Sequence, residues 1–167
     1  SKIENGQVDP KFATLMALSR ALSLSLPGFD AGATTARVAG ARVVTRADQA
    51  VEHATPQYAY RLLAGELAAK TMLPSVIAVT ARRLEDFPEW NRHVGEEFIY
   101  VLSGAIRLYM EGYEPVALRV GESAYYDSSI GHAMVAIGRG EARVLSVASE
   151  GGGNGQTHAG VAARGLH

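Results

Sequence analysis

Hydrophobic positions follow two regimes along this chain. Between residues 11 and 26, Phe12, Leu15, Leu18 and Leu22 recur every three or four positions, with Met16 and Ala21 beside them. That spacing predicts one apolar face of an amphipathic helix. Asp9-Pro10 ahead of the run suits a cap and a first-turn proline, and Pro27-Gly28 ends it. Residues 28–40 are rich in Gly, Ala and Thr and read as a linker. From residue 41 the pattern changes to short β-type runs. Strands are predicted over 42–46, 58–63, 75–82, 97–102, 105–110, 116–120, 123–126, 133–137 and 142–148. Turns at Ser103-Gly104, Glu111-Gly112 and Gly138-Arg139-Gly140 separate several of them. Many short strands punctuated by glycine turns predict a mainly β fold, a sandwich or barrel. In the last run Val144, Ser146 and Ala148 alternate with Leu145 and Val147, so both faces are expected to be covered there. After Glu150 the run Gly-Gly-Gly-Asn-Gly opens a small-residue tail, expected to be mobile. The expected organisation is therefore a helical segment at 1–27, a linker at 28–40, a β domain at 41–149 and a tail at 150–167.

Composition narrows the function classes. The chain has 167 residues, 47% hydrophobic and 20% charged, which fits one ordinary domain with appendages. Sixteen basic and 17 acidic residues give a net charge of −1, so no global positive field draws it to nucleic acid or membrane. Without cysteine it has neither disulfides nor thiolate metal ligands. No apolar run is long enough to span a bilayer, and no signal peptide is visible at the start. A cytoplasmic location, away from membranes, is the expectation.

Candidate chemistry lies in two stretches, His93-Val-Gly-Glu96-Glu97-Phe-Ile-Tyr-Val-Leu-Ser-Gly104 and Gly121-Glu-Ser-Ala-Tyr-Tyr-Asp127-Ser-Ser-Ile-Gly-His132. His93 and Glu97 are an even number of residues apart, so both can face one side of an extended segment. With His132 they supply two imidazoles and one carboxylate, a set that binds a divalent transition metal and leaves coordination positions open. Fe, Mn, Ni and Zn all suit it. The bland alternative is a buried His–Glu pair that satisfies itself by hydrogen bonding. Tyr58, Tyr60 and Leu62 share one strand face, with Arg61 on the other. Tyr58, Tyr60 and Tyr126, which has inward parity, are candidate ligand-pocket residues; ordinary core packing is the competing reading. Glu96 should face outward, Arg61, Arg82 and Arg83 should be solvated, and Trp90 should cap the barrel mouth or fill core.

These two stretches resemble the paired motifs of the cupin family. Glu97, Gly104 and His93, as the second His, fit the first motif; Gly121 and His132 fit the second. Asn91 stands where the family's first His belongs, Asp127 where Pro is usual and Ala136 where Asn is usual. The resemblance implies a cupin double-stranded β-helix, with His93, Glu97, His132 and, less well suited, Asn91 around a metal. The Asp-Ser-Ser-Ile-x-His form is similar to a variant found in cupin domains fused to DNA-binding domains. The opening Ser1-Lys-Ile-Glu-Asn-Gly6-Gln-Val-Asp-Pro10, followed by Thr14-Leu15 and Ala21-Leu22, resembles the second half of an XRE-type helix-turn-helix domain. Ser1, Lys2, Asn5 and Gln7 would then lie at the edge of a recognition helix whose larger part precedes Ser1. The implied function is a DNA-binding transcription regulator, homodimeric on two half-sites, whose cupin domain senses a small-molecule effector. The alternative is a mononuclear non-haem iron enzyme, an oxygenase or epoxidase. A metal-free binding module is a third reading.

Overall fold

Nine strands run through the described residues, several of them with alternating side-chain burial. The computed structural model describes residues 40–149, apart from 66, 68 and 69. The helix expected at 11–26, the linker up to residue 39, the DNA-contacting candidates Ser1, Lys2, Asn5 and Gln7, and the tail at 150–167 lie outside the described residues. The strands are β1 (Val51–Ala54), β2 (Tyr58–Leu62), β3 (Met72–Val79), β4 (Glu96–Ser103), β5 (Ala105–Met110), β6 (Tyr113–Arg119), β7 (Ser123–Asp127), β8 (His132–Ala136) and β9 (Ala142–Ser149). A six-stranded sheet runs β1-β2-β3-β9-β4-β7, and a three-stranded sheet runs β6-β5-β8. Every pairing is antiparallel.

The core fills the space between the sheets. Ile77 and Val79 from β3, Ile99 and Val101 from β4 and Val144 from β9 meet Ile106 and Leu108 from β5 and Met134 from β8. Ile99, Val101, Ile106 and Val144 are wholly buried. Gly104 makes the tight β4–β5 connection at φ +70, and a Cβ there would come within 2.5 Å of the Glu141 carbonyl. The turn therefore needs glycine twice over, for its backbone angle and for space.

Two expectations are corrected. Residues 42–46 form no strand. Val44 stays more than half exposed, and among the described residues no strand pairs with the segment; the Thr45 hydroxyl instead accepts the Ala64 N–H at 2.8 Å. Residues 51–54, which carry no alternating pattern, do form a strand by pairing at the sheet edge with β2. Pairing, not propensity, decides both. Arg82 is also more than solvated surface, since its guanidinium donates to the carbonyls of Gly138 and Gly140.

Candidate metal centre

Three segments converge at one end of the sandwich. On β4, Glu97, Ile99 and Val101 face inward while Glu96 faces out, as strand parity requires. His132 opens β8 on the opposing sheet. His93 precedes β4 on a loop, and Gly95 at φ +116 lies between it and Glu97. The two therefore do not share one extended segment, contrary to the expectation from their spacing. Backbone pairing of this loop to residues 128–132 brings them together. The Asn91 N–H donates to the His132 carbonyl and the His132 N–H to the Asn91 carbonyl, both at 3.0 Å. The His93 N–H donates to the Ser128 carbonyl at 3.0 Å, and the Ser128 hydroxyl donates to the Gly95 carbonyl at 2.7 Å. Asp127 holds the adjoining turn by accepting the Ser129 N–H.

One carboxylate oxygen serves both imidazoles. Glu97 Oε2 lies 3.3 Å from His93 Nε2 and 3.5 Å from His132 Nε2. The ligand atoms of the three residues all fall within 4.8 Å of one another. The rings stand nearly perpendicular, with centroids 5.5 Å apart. Glu97 Oε1 is taken by the Ser146 hydroxyl, which donates at 2.7 Å. His132 Nδ1 lies 2.9 Å from the Ile130 carbonyl, which accepts only if that nitrogen carries the proton. Nε2 then turns a lone pair toward an anionic oxygen. Such a pair needs a proton or a cation between its members.

Electrostatics favour the cation. Burial pushes the His132 ring below its ordinary range; the Glu97 carboxylate and the Ile130 carbonyl pull it up, but not enough to reverse this. The ring is therefore neutral at neutral pH, as a metal ligand must be. Burial alone would push the Glu97 carboxyl up, yet the His93 hydrogen bond, the His132 ring and the Ser146 hydroxyl outweigh it and hold the group below its ordinary range. A buried anion flanked by two imidazole nitrogens and oriented by a hydroxyl is a site for a divalent transition metal.

The tyrosines surround this centre. Tyr58 and Tyr60 point inward from β2 with rings packed edge-on at 5.7 Å. The Tyr58 hydroxyl accepts the Met134 N–H at 2.7 Å, and the Asn91 side chain lies near enough to favour its ionised form slightly. Tyr126 sits directly across from Glu97 in the β4–β7 register, its ring 5.2 Å from that of His132. Its hydroxyl is buried with no hydrogen-bond partner. Burial and then the nearby Glu97 charge push it well above its ordinary value, so it stays a proton donor. A cavity of about 60 Å³, measured for the centres of water-sized atoms, opens onto the group. Tyr58, Tyr60, Leu62, Leu73, Ile77 and Met134 form its apolar walls, and Asn91, His93, Glu97, His132, Ser75 and Ser146 its polar side. Tyr126 is not among the lining residues. Trp90 is half-buried and lies outside the core cluster.

Sequence reasoning missed Ser146, Ser128 and the Ile130 carbonyl. Ser146 was visible as a hydroxyl at an inward position of a strand otherwise occupied there by Ala and Val. The other two act through backbone geometry, which leaves no composition signal.

Comparison with known proteins agrees on the fold. Residues 85–148 match the family described as Cupin domain, so a cupin domain is present there. No curated protein matches the chain. Among solved structures the chain is similar to a crystal structure of Fe(II) HppE, at 24% identity and TM-score 0.56, over 64% of this chain and 60% of that one. It is also similar to the structure of hydroxypropylphosphonic acid epoxidase from S. wedmorenis, at 23% identity and TM-score 0.58, over 88% of this chain and 80% of that one. Fe(II)-HppE with the alternative substrate (S)-1-HPP gives 22% identity and TM-score 0.58, over 87% and 77%. The chain thus spans 60% of the length of the first of these. At such identities the likeness is one of fold.

Proposed function

We propose that this chain carries a mononuclear non-haem metal centre and works as an oxidoreductase, with His93, Glu97 and His132 holding a divalent ion, Fe(II) first among the candidates. The observation that carries this reading is the single carboxylate oxygen set between two imidazole nitrogens, one of them fixed in its tautomer by Ile130. Two nitrogens and one oxygen leave coordination positions open for a substrate atom and a second reactant. The ion, when bound, would supply Lewis acidity and one-electron chemistry. The chain's own residues do the rest. Ser146 holds Glu97 with one oxygen forward. Tyr126 presents a protonated hydroxyl beside the carboxylate. The mostly apolar walls select a small organic molecule and exclude water from the reacting end. We assign Asn91 to the Tyr58 hydroxyl rather than to the ion. The fold is one on which iron is carried, since HppE has been crystallised with Fe(II).

Anaerobic reconstitution with Fe(II), followed by metal analysis, tests the proposal. One ion per chain is expected, lost in His132→Ala, with oxygen consumption stimulated by the right substrate. Protein that folds normally yet binds far less than one equivalent would refute it.

A second reading is supported by the opening residues, which resemble part of a helix-turn-helix domain. Here the same centre holds a small-molecule effector, and Ser1, Lys2, Asn5 and Gln7 belong to a DNA-contacting head. Coupling would require the effector to prefer one of two arrangements of head and barrel. A gel-shift assay on the chain together with any preceding segment decides it: an effector-dependent shift supports regulation, and no shift at low salt removes it.

A further inference from the structure

One inward position on β3 breaks an apolar series. Leu73, Ser75, Ile77 and Val79 face the space between the sheets, and only Ser75 among them is polar. It is 6% exposed and lines the cavity at the metal centre. Its hydroxyl makes no hydrogen bond among the described residues. A buried polar group without a partner is costly, and alanine or valine would occupy the same place on the strand without that cost. A hydroxyl kept there, open to the cavity, is positioned for a ligand.

The next strand carries a second hydroxyl at the same level. Ser146 of β9 stands directly opposite Ser75, and it lines the same cavity. Directly opposed side chains in a sheet have Cβ atoms about 5 Å apart, room for one small group between the two oxygens. Ser146 already donates its proton to Glu97 Oε1 at 2.7 Å, so its oxygen is left to accept. Ser75 still has its proton to give. The other neighbours of the pair are apolar: Leu62 across from Ser75 on β2, Ile99 across from Ser146 on β4, and Leu73 and Ile77 along β3. The cations of the cavity lining are engaged elsewhere, Lys70 with the Leu67 carbonyl and Arg92 with Glu111. One donor and one acceptor facing one space match a group that accepts once and donates once. A hydroxyl does both. An ether or carbonyl would leave Ser146 unserved, a methyl would leave both serines so, and a carboxylate would set a second anion near Glu97.

We infer that the substrate of this centre is a small alcohol whose uncharged hydroxyl sits between Ser75 and Ser146, and that Ser75 is the residue that selects for it. The inference rests on the metal reading, because the ion fixes the other end of the molecule. The bound hydroxyl accepts from Ser75 and donates to Ser146, which extends one hydrogen-bonded line from β3 through β9 to Glu97 on β4. That line crosses two strand spacings, roughly 10 Å. The substrate therefore carries its metal-binding group and its hydroxyl at opposite ends of a short apolar body, which Leu62, Leu73 and Ile77 cover. A site built to hydrogen-bond a hydroxyl discriminates strongly against the analogue that lacks it.

The test titrates the Co(II)-loaded full chain, its loading verified by metal analysis, with alkyl hydroxamates followed by the Co(II) spectrum. The hydroxamate head binds the ion, and tails of graded length end in a hydroxyl, a methyl or a carboxylate. At the matching length the hydroxyl-ended probe should bind about tenfold more tightly than its methyl-ended isostere, the scale of one net hydrogen bond, and more tightly than the carboxylate-ended one. Ser75→Ala should erase that preference. It should leave Co(II) affinity intact and the melting temperature undiminished, because the hydroxyl it removes has no partner to lose in the free protein. Folded protein that takes up no Co(II) overturns the metal reading and this inference together. Loaded protein overturns this inference alone if no probe binds, if hydroxyl-ended and methyl-ended tails bind equally at every length, if the carboxylate is preferred, or if the hydroxyl preference survives Ser75→Ala. A Ser75→Ala variant that melts well below wild type overturns it too, since Ser75 would then be holding the fold rather than a ligand.

Discussion

Ser146→Ala isolates what orients the metal-binding carboxylate. The Ser146 hydroxyl donates to Glu97 Oε1 at 2.7 Å, and both side chains are buried. A hydrogen bond to a charged group contributes about 1.5–3 kcal/mol. Alanine here leaves one lone pair of a buried carboxylate without a donor. Without that donor Glu97 is free to rotate, and Oε2 is no longer fixed between the two imidazoles. Losses in groups that orient metal ligands typically lower metal affinity by about 10–100-fold. The assay is competition of Co(II) or Zn(II) against a chromophoric chelator at neutral pH, with the Co(II) d–d spectrum as a report on coordination. The expected outcome is weaker binding in that range with a changed spectrum, while Ser146→Thr, which keeps a hydroxyl, retains much of the affinity. A dissociation constant for Ser146→Ala within threefold of wild type, in folded protein, would show that Glu97 is held by something else.

Three further outcomes are expected. His132→Ala should abolish stoichiometric metal binding whereas Asn91→Ala should weaken it by less than about tenfold, as metal analysis after gel filtration will show; equal losses would put Asn91 in the coordination sphere. The metal-free protein should lose stability on acidification. His132 is depressed in the folded state, so its contribution falls as pH drops through the ordinary histidine value of about 6.5 toward its lower folded value; that of Glu97, also depressed, falls later, as pH drops through its folded carboxyl value. Thermal melts from pH 8 to pH 4 check this, and a flat melting temperature across pH 7 to 5 would contradict it. Gly112→Ala and Gly104→Ala should differ sharply in chemical denaturation: both glycines have positive φ, costing about 1–2 kcal/mol for alanine, but only at Gly104 would the new Cβ meet backbone within 2.5 Å, and equal losses would mean the β4–β5 turn relaxes freely.

The strands that alternate on two faces were legible before the structure. The 105–110 run coincides with β5, and the runs ending at 62–63, 102–103 and 148–149 differ from β2, β4 and β9 by a residue or so. Alternation is a strong signal wherever one face is buried, because a slip by one residue would turn the core side outward. Inward positions for Tyr58, Tyr60, Tyr126 and Glu97, and an outward Glu96, follow from the same parity. Edge positions were not legible. β1 is exposed on three of its four residues and exists because β2 offers it a hydrogen-bonding edge. Val43-Val44-Thr45 has the composition of a strand and no strand partner among the described residues.

The centre shows a different division. The residue types were readable and their convergence was not. Even spacing predicted His93 and Glu97 on one strand face, and the prediction reached the right neighbourhood by the wrong route. Gly95 breaks the strand between them, and the Asp127-Ser128-Ser129 turn on the far segment restores the approach by pairing its backbone with the loop. The position of His93 therefore depends on Ser128, which meets the ligand group only through its backbone carbonyl. This is the physical reason a two-stretch pattern can survive the loss of its first histidine. Asn91 is held by two backbone hydrogen bonds to His132 that any residue except proline at that position could make. Its side chain is thus free for other contacts, while main-chain pairing brings His93 and His132 together and the Ser146 hydroxyl orients Glu97.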